Sequence, residues 1–154
     1  MIFFQSIYFE QNFSSCYIEE GKKTNWMEKI IIKTTKKKEI VDITDKMTEL
    51  LVDRSGLCYL FVLHTTAALT TADLDPGTDL DMLDAFEHMV PKLNYRHPHN
   101  PAHVPDHIMS SIIGPNVVIP FEKGQFILGT WQRIILVELD GPREREIMVH
   151  FITG

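Results

Sequence analysis

Cysteine is scarce in this chain, and clustered cations, long apolar runs and catalytic signature motifs are missing. Two cysteines in 154 residues, Cys16 and Cys58, give neither a disulfide framework nor metal-type spacing, which points to a reducing, cytoplasmic setting. Cys58 lies in the apolar run Gly56–Leu63, where a thiol serves as a small hydrophobe. Acidic residues outnumber basic ones by 21 to 15, for a net charge of −6. That balance argues against a nucleic-acid partner, because phosphate neutralisation needs clustered Lys and Arg. The run Lys36-Lys37-Lys38 reads as a solvated loop. No apolar stretch approaches the roughly 18 residues of a membrane span, so no membrane partner is expected. The apolar start Ile2-Phe3-Phe4 is broken by Gln5, Ser6 and Glu10 and lacks a basic flank, unlike a secretory signal. A glycine-rich phosphate loop, a Gly-x-Ser-x-Gly elbow and a His-Glu-x-x-His pair are all absent.

A hydrophobic content of 44% suits one domain with a real core. Residues 1–26 are aromatic-heavy without a steady period and read either as an extension that packs on the body or on a partner, or as translated leader upstream of a natural start at Met27. The domain then occupies residues 27–154. Glu28–Thr34 and Ile40–Ile43 read as strands. Thr44 reads as the N-cap of a helix carrying Met47, Leu50 and Leu51 that stops near Ser55-Gly56. Leu57–Leu63, apolar on both alternating faces, predicts a central strand that delivers His64, Thr65 and Thr66 at its end. Asp73 and Asp75 fall in a loop after it. Asp75-Pro76 has cap chemistry for a helix presenting Leu80, Leu83, Phe86 and Val90, and its many acids suit the helix macrodipole. A third helix is predicted from Asp106 to Ile113, closed by Gly114-Pro115. Strands follow at 116–121, 125–129, 133–140 and 145–152. This order describes an α+β domain on a mixed, largely antiparallel sheet.

Four of the seven histidines (His97, His99, His103 and His107) lie between positions 97 and 107. Imidazole ligates metals and moves protons near neutral pH, and a proline-threaded loop this rich in it reads as a site. With His64 there are enough nitrogen donors for a catalytic zinc, which takes three protein ligands and keeps an open position. Pro105 places His103 in the loop rather than on one helix face with His107. His88 and His150 read as structural. Ser110-Ser111 reads as helix packing, Trp131 as a rim or core aromatic, and Gln132 as a hydrogen-bond anchor. Arg96, Arg133 and Arg143 offer positive charge for an anion, Gly129-Thr130 ends a strand, and the third helix's N-terminus offers backbone amides.

The ordered set His64-Thr65-Thr66-Ala67-Ala68-Leu69-Thr70, Asp75-Pro76, Tyr95-Arg96-His97, Pro105-Asp106-His107-Ile108, Gly129-Thr130-Trp131-Gln132 and Glu138-Leu139-Asp140-Gly141-Pro142-Arg143 resembles the YjbQ-like family, also called the secondary thiamine-phosphate synthase family. The resemblance spans about Met27 to Gly154. It implies a sandwich-like α+β domain, a homotrimer, and a histidine-lined site able to hold a divalent metal. It also implies a weak thiamine-phosphate synthase activity, in which a thiazole phosphate displaces pyrophosphate from a hydroxymethylpyrimidine diphosphate. On matched motifs, His64, His97 and His107 carry over as the site histidines, for metal or for acid–base work. Asp75 and Glu138 are matched positions expected beside them at the reaction, and Trp131 and Gln132 are matched positions as well.

The expected enzyme is thus a metal-assisted transferase acting on a small phosphorylated metabolite. Zinc would sit at the histidines, and Mg²⁺ would accompany a diphosphate. Thr65, Thr66, Arg96, Thr130, Trp131 and Gln132 would contact substrate. A non-catalytic trimer that binds a metal or phosphometabolite, and a metal-dependent hydrolase, use the same histidines and stay open. The chain departs from the family's pattern at Thr66, where Ser is frequent, at Arg133, where Gly is, and at Met109, where a basic residue is.

Overall fold

Alternation of apolar and polar residues lays out most of this molecule. A computed structural model describes residues 18–19, 22–23, 25–98 and 100–153. Cys16, His99 and most of the expected extension lie outside those residues. The elements run β1 (Ile18–Glu19), β2 (Lys22–Lys23), β3 (Asn25–Lys33), β4 (Glu39–Asp42), α1 (Thr44–Thr48), β5 (Gly56–Val62), β6 (Ala67–Asp73), α2 (Thr78–Met89), a 3-10 turn (Pro101–His103), α3 (Val104–Ile113), β7 (Asn116–Glu122), β8 (Gln125–Phe126), β9 (Gln132–Glu138) and β10 (Glu144–Thr153). Five strands form one sheet in the order β3-β10-β5-β7-β8, and three form another in the order β4-β9-β6. Every pairing among the described strands is antiparallel, so the α+β class holds with no parallel component there.

The two sheets face one another, and α2 and α3 cover the far side of the smaller one. Strand β9 shows how. Ile134 and Leu136 join Leu60, Val62, Ile147 and Phe151 in the core between the sheets. The alternate residues Ile135 and Val137 join Val90 and Met109 in a second core under α2 and α3. β9 is therefore the strand buried on both faces. Strand β5, expected in that role, buries only Cys58, Leu60 and Val62. Its alternate residues Leu57 and Leu63 point outward at 43% and 45% exposure, beside Val118 and Ile152, because no described element covers that face.

Three local expectations shift. Strand β3 opens before Met27, and Trp26 stacks on Phe151 at 4.4 Å between ring centroids. It belongs to the core rather than to an extension. Helix α1 ends after Thr48; Leu50 and Leu51 continue in tight turns bonded to the carbonyls of Met47 and Thr48. Residues 67–73, read as loop, form β6, an Ala- and Thr-rich strand that β9 holds in register from Ala67–Glu138 to Asp73–Gln132.

Candidate active site

The end of β5 and the start of β6 are tied to α3 and β10 by side-chain and backbone bonds that fix three histidines. His64 follows β5, and its Nε2 accepts the backbone N–H of Glu146 at 2.9 Å. His107, on α3, donates Nδ1–H to the carbonyl of Thr65 at 3.0 Å. One turn on, Ser110 Oγ donates to the carbonyl of Ala67 at 2.7 Å, and Ser111 Oγ to that of His107 at 2.9 Å. His97 lies parallel to His107, with ring centroids 5.8 Å apart and planes inclined by 13°. Its Nδ1 accepts the Asn100 N–H at 3.3 Å.

These bonds settle the proton on each neutral ring. His107 carries it on Nδ1 and presents a lone pair at Nε2. His64, whose Nε2 is an acceptor, carries it on Nδ1. His97, whose Nδ1 is an acceptor, carries it on Nε2. Burial holds the His64 imidazole below its ordinary value, and the Arg145 guanidinium nearby adds to that, so His64 is neutral at pH 7. His64 and His107 line one open cleft of about 490 Å³, together with Phe61, Leu63, Thr65 and Pro115.

Beneath His64 lies an ion pair that sequence reasoning missed. Glu138, fully buried, receives Arg145 Nε at 2.7 Å on Oε2 and Arg145 Nη2 on Oε1. Thr34 Oγ1 at 2.9 Å and the Asp140 N–H at 2.8 Å complete its shell. Arg145 Nη2 reaches Thr66 Oγ1 at 3.1 Å. Glu138 and Thr66, expected at the reaction and at the substrate, are thus buried and consumed in holding the strand ends. The signal was available: Arg145 occupies an inward position of the alternation Arg145-Ile147-Val149-Phe151, where a cation demands a buried partner.

The other matched residues stand elsewhere. Asp73 and Gln132 pair at the far end of β6 from His64, and six strand steps separate Ala67 from Asp73, about 20 Å. Asp75, Thr130 and Trp131 sit at that far end; Trp131 is 68% exposed. Gln132 is engaged by the Gly129 N–H and by Thr71 Oγ1. Asp75 does not cap α2 with its side chain: Gly77, at φ 95°, is the N-cap. Arg133 is held by Asp42 at 2.6 Å and Asp45 at 2.8 Å. Arg96 is exposed on the histidine loop. His103 faces Asp140 at 3.4 Å, outside the cleft.

The donor set does not fit the expected metals. Among the described residues no three His, Cys, Asp or Glu side chains are grouped as ligands. Both nitrogens of His64 are committed, one as acceptor and one as N–H, so it offers no lone pair to zinc. No carboxylate lines the cleft, and Mg²⁺ binds through carboxylates and phosphates.

An α+β sandwich with a histidine cleft between a strand end and a helix is the class these features define. The family model described as UPF0047 protein YjbQ-like matches residues 28–154, and the chain belongs to that family. A UPF0047 protein of Archaeoglobus fulgidus is 38% identical over 121 residues, covering 78% of this chain and 96% of the relative. The YugU protein of Bacillus subtilis is 37% identical over 118 residues, covering 74% and 89%. A crystal structure from Sulfolobus solfataricus, described as a YbjQ-like protein of unknown function, superposes with a TM-score of 0.76 at 32% identity. It covers 84% of this chain and 98% of its own. These relatives carry no assigned reaction, so the expected thiamine-phosphate synthase activity has no support and is withdrawn, together with the metal-assisted transfer built on it. The chemistry of the cleft agrees, since it contains no Lys, Arg or carboxylate to hold a diphosphate and its metal. No helix among the described residues is long and apolar enough to cross a membrane.

Proposed function

We propose that the cleft performs general acid–base chemistry on a small metabolite. His107 Nε2 takes the proton, and His64 Nδ1–H donates to the oxygen on which charge develops. The observation that carries this reading is the pair of backbone-fixed rings bordering one cleft, His64 left with an uncommitted N–H and His107 with an uncommitted lone pair. A base needs a free lone pair within reach of the substrate, and an oxyanion needs an N–H already in place. A histidine kept neutral by burial serves as that donor without carrying charge. The substrate is read as a small phosphorylated metabolite. No step passes through a metal.

Assembly is part of the same proposal. The outward face carrying Leu57, Leu63, Val118 and Ile152 is the kind of apolar surface that protein contacts cover, and a homotrimer is the expected partner. Light scattering at increasing dilution tests it.

Long-range ¹H–¹⁵N spectra of histidine-labelled protein test the site. The expected result is Nδ1–H on His64 and His107, with phenyl phosphate perturbing those two rings and His97. An Nε2–H tautomer on His64, or rings indifferent to phenyl phosphate, would refute the reading.

A further inference from the structure

Helix α2 crosses the second core without burying any of its twelve residues fully. Leu80 and Met89 are each 59% exposed, although Met82 and Phe86 pack on that core. The helix stands off the sheet, and a cavity of about 400 Å³ lies beneath it. Phe86, Val90, Tyr95, Met109 and Leu139 form its apolar wall. Protein interiors are close-packed and hold few voids larger than a water molecule, whereas ligand sites occupy a few hundred cubic ångströms and combine apolar walls with few polar groups. This space has the second character. It is separate from the histidine cleft: α3 stands between them, turning Pro105, Asp106 and Met109 to the cavity and His107, Ser110 and Ser111 to the cleft.

The rim supplies the charge. Lys38 Nζ lies 3.8 Å from Glu87 Oε2 on α2 and 3.7 Å from Asp106 Oδ1 on α3, so its charge is answered within the protein. Lys37 and Lys92 share the rim and form no ion pair with any described residue. Three lysines against two carboxylates leave one positive charge at the entrance of an apolar chamber. A dianion would meet Glu87 and Asp106, and a cation would meet the two ammonium groups that form no ion pair.

We propose that this cavity binds an amphipathic monoanion, an aryl or short alkyl body bearing a single carboxylate, with the body against Phe86, Val90 and Met109 and the carboxylate between Lys37 and Lys92. The ligand completes a core that α2 leaves unfilled, so binding also stiffens α2.

The probe is 4-phenylbutyrate, titrated into the full chain by calorimetry and by methyl NMR of Met109 and Leu83, with 4-phenylbutanol and 4-phenylbutylamine as neutral and cationic analogues. Saturable binding of the acid is expected, with shifts at Met109 and a rise in Tm. The alcohol should bind about tenfold more weakly and the amine more weakly still, as a lost charge-assisted contact implies. Two variants at exposed rim positions leave the core intact. Ala102→Trp should block entry, and Lys92→Glu should weaken the acid while improving the amine; circular dichroism confirms that both fold. Absence of saturation by the acid overturns the proposal, including the case in which a second copy or the chain's own residues 1–17 fill the space. Equal binding of the amine, or shifts on the outer face of the five-stranded sheet in place of Met109, overturns it as well.

Discussion

Replacing Arg145 by Met removes a cation that is 2% exposed and leaves Glu138, with no exposed surface, without its counter-charge. In the folded protein the guanidinium bonds both carboxylate oxygens and also Thr66 Oγ1. After the change, only the Thr34 hydroxyl and the Asp140 N–H still donate to Glu138. Two neutral donors do not offset burial of a full charge, and breaking such a pair costs about 3–5 kcal/mol. The double variant Arg145→Met/Glu138→Leu, with both charges gone, should recover most of that loss. A pH signature follows. In the single variant, protonating the unpaired carboxylate removes the buried charge, so the deficit is full at neutral pH and shrinks in acid. Urea denaturation of the wild type, both single variants and the double variant at neutral and mildly acidic pH reads all of this. A loss under about 1 kcal/mol in Arg145→Met, or a double variant no more stable than the singles, would refute the reasoning.

The His64 imidazole has its folded pKa lowered by burial, so its contribution to stability is complete above the unfolded value near 6.5 and declines as pH falls below it. Urea midpoints should drop across that window in the wild type and less so in His64→Asn; equal drops would exclude His64 as the cause. Gly141→Ala places a Cβ 2.4 Å from the Lys36 carbonyl and 2.9 Å from Glu138 Cγ, and should lower stability by about 1–3 kcal/mol, measurable by thermal melting. Trp131→Ala, at an exposed turn remote from His64, should leave stability within about 0.5 kcal/mol and leave the histidine ring spectra unchanged. Burial pushes the Cys58 thiol up to about 12; peptide mapping after iodoacetamide treatment should find it unmodified in native protein and alkylated in urea.

Much of the fold was legible where periodicity is strong. Strand β10 alternates cleanly, β9 is an unbroken apolar run, and α3 is bracketed by Pro105 and Gly114, so each was found within a few residues. Strand β6 was missed because Ala67, Ala68 and Ala72 carry little strand propensity and interrupt the favourable Thr70-Thr71; pairing with β9 and burial beneath α3 decide its state. At the site, the resemblance singled out His64, His97 and His107, and the fold brings them together. It could not separate residues that touch the cleft from those that share its motifs. Glu138 is matched because Arg145 needs it. Asp75, Trp131 and Gln132 are matched yet stand a strand length away from His64. Tautomers were out of reach, since they depend on backbone groups of Glu146, Thr65 and Asn100 that meet the rings only in three dimensions.

Strand β10 is an interior strand of the five-stranded sheet, paired with β3 on one side and β5 on the other, and of the described elements it is the last to leave the ribosome. Until residues 144–153 emerge, β3 has no neighbour in its sheet and β5 keeps one side open. His64 lacks the Glu146 amide and Glu138 lacks Arg145. Nascent chains therefore wait with two unpaired sheet edges, one of them beside the apolar residues Leu57 and Leu63, and long-range closure of this kind is slow and exposed to aggregation. Synthesis of one short segment completes the sheet, the buried ion pair and the histidine cleft together, so this protein should pass from assembly-incompetent to functional in a single late event.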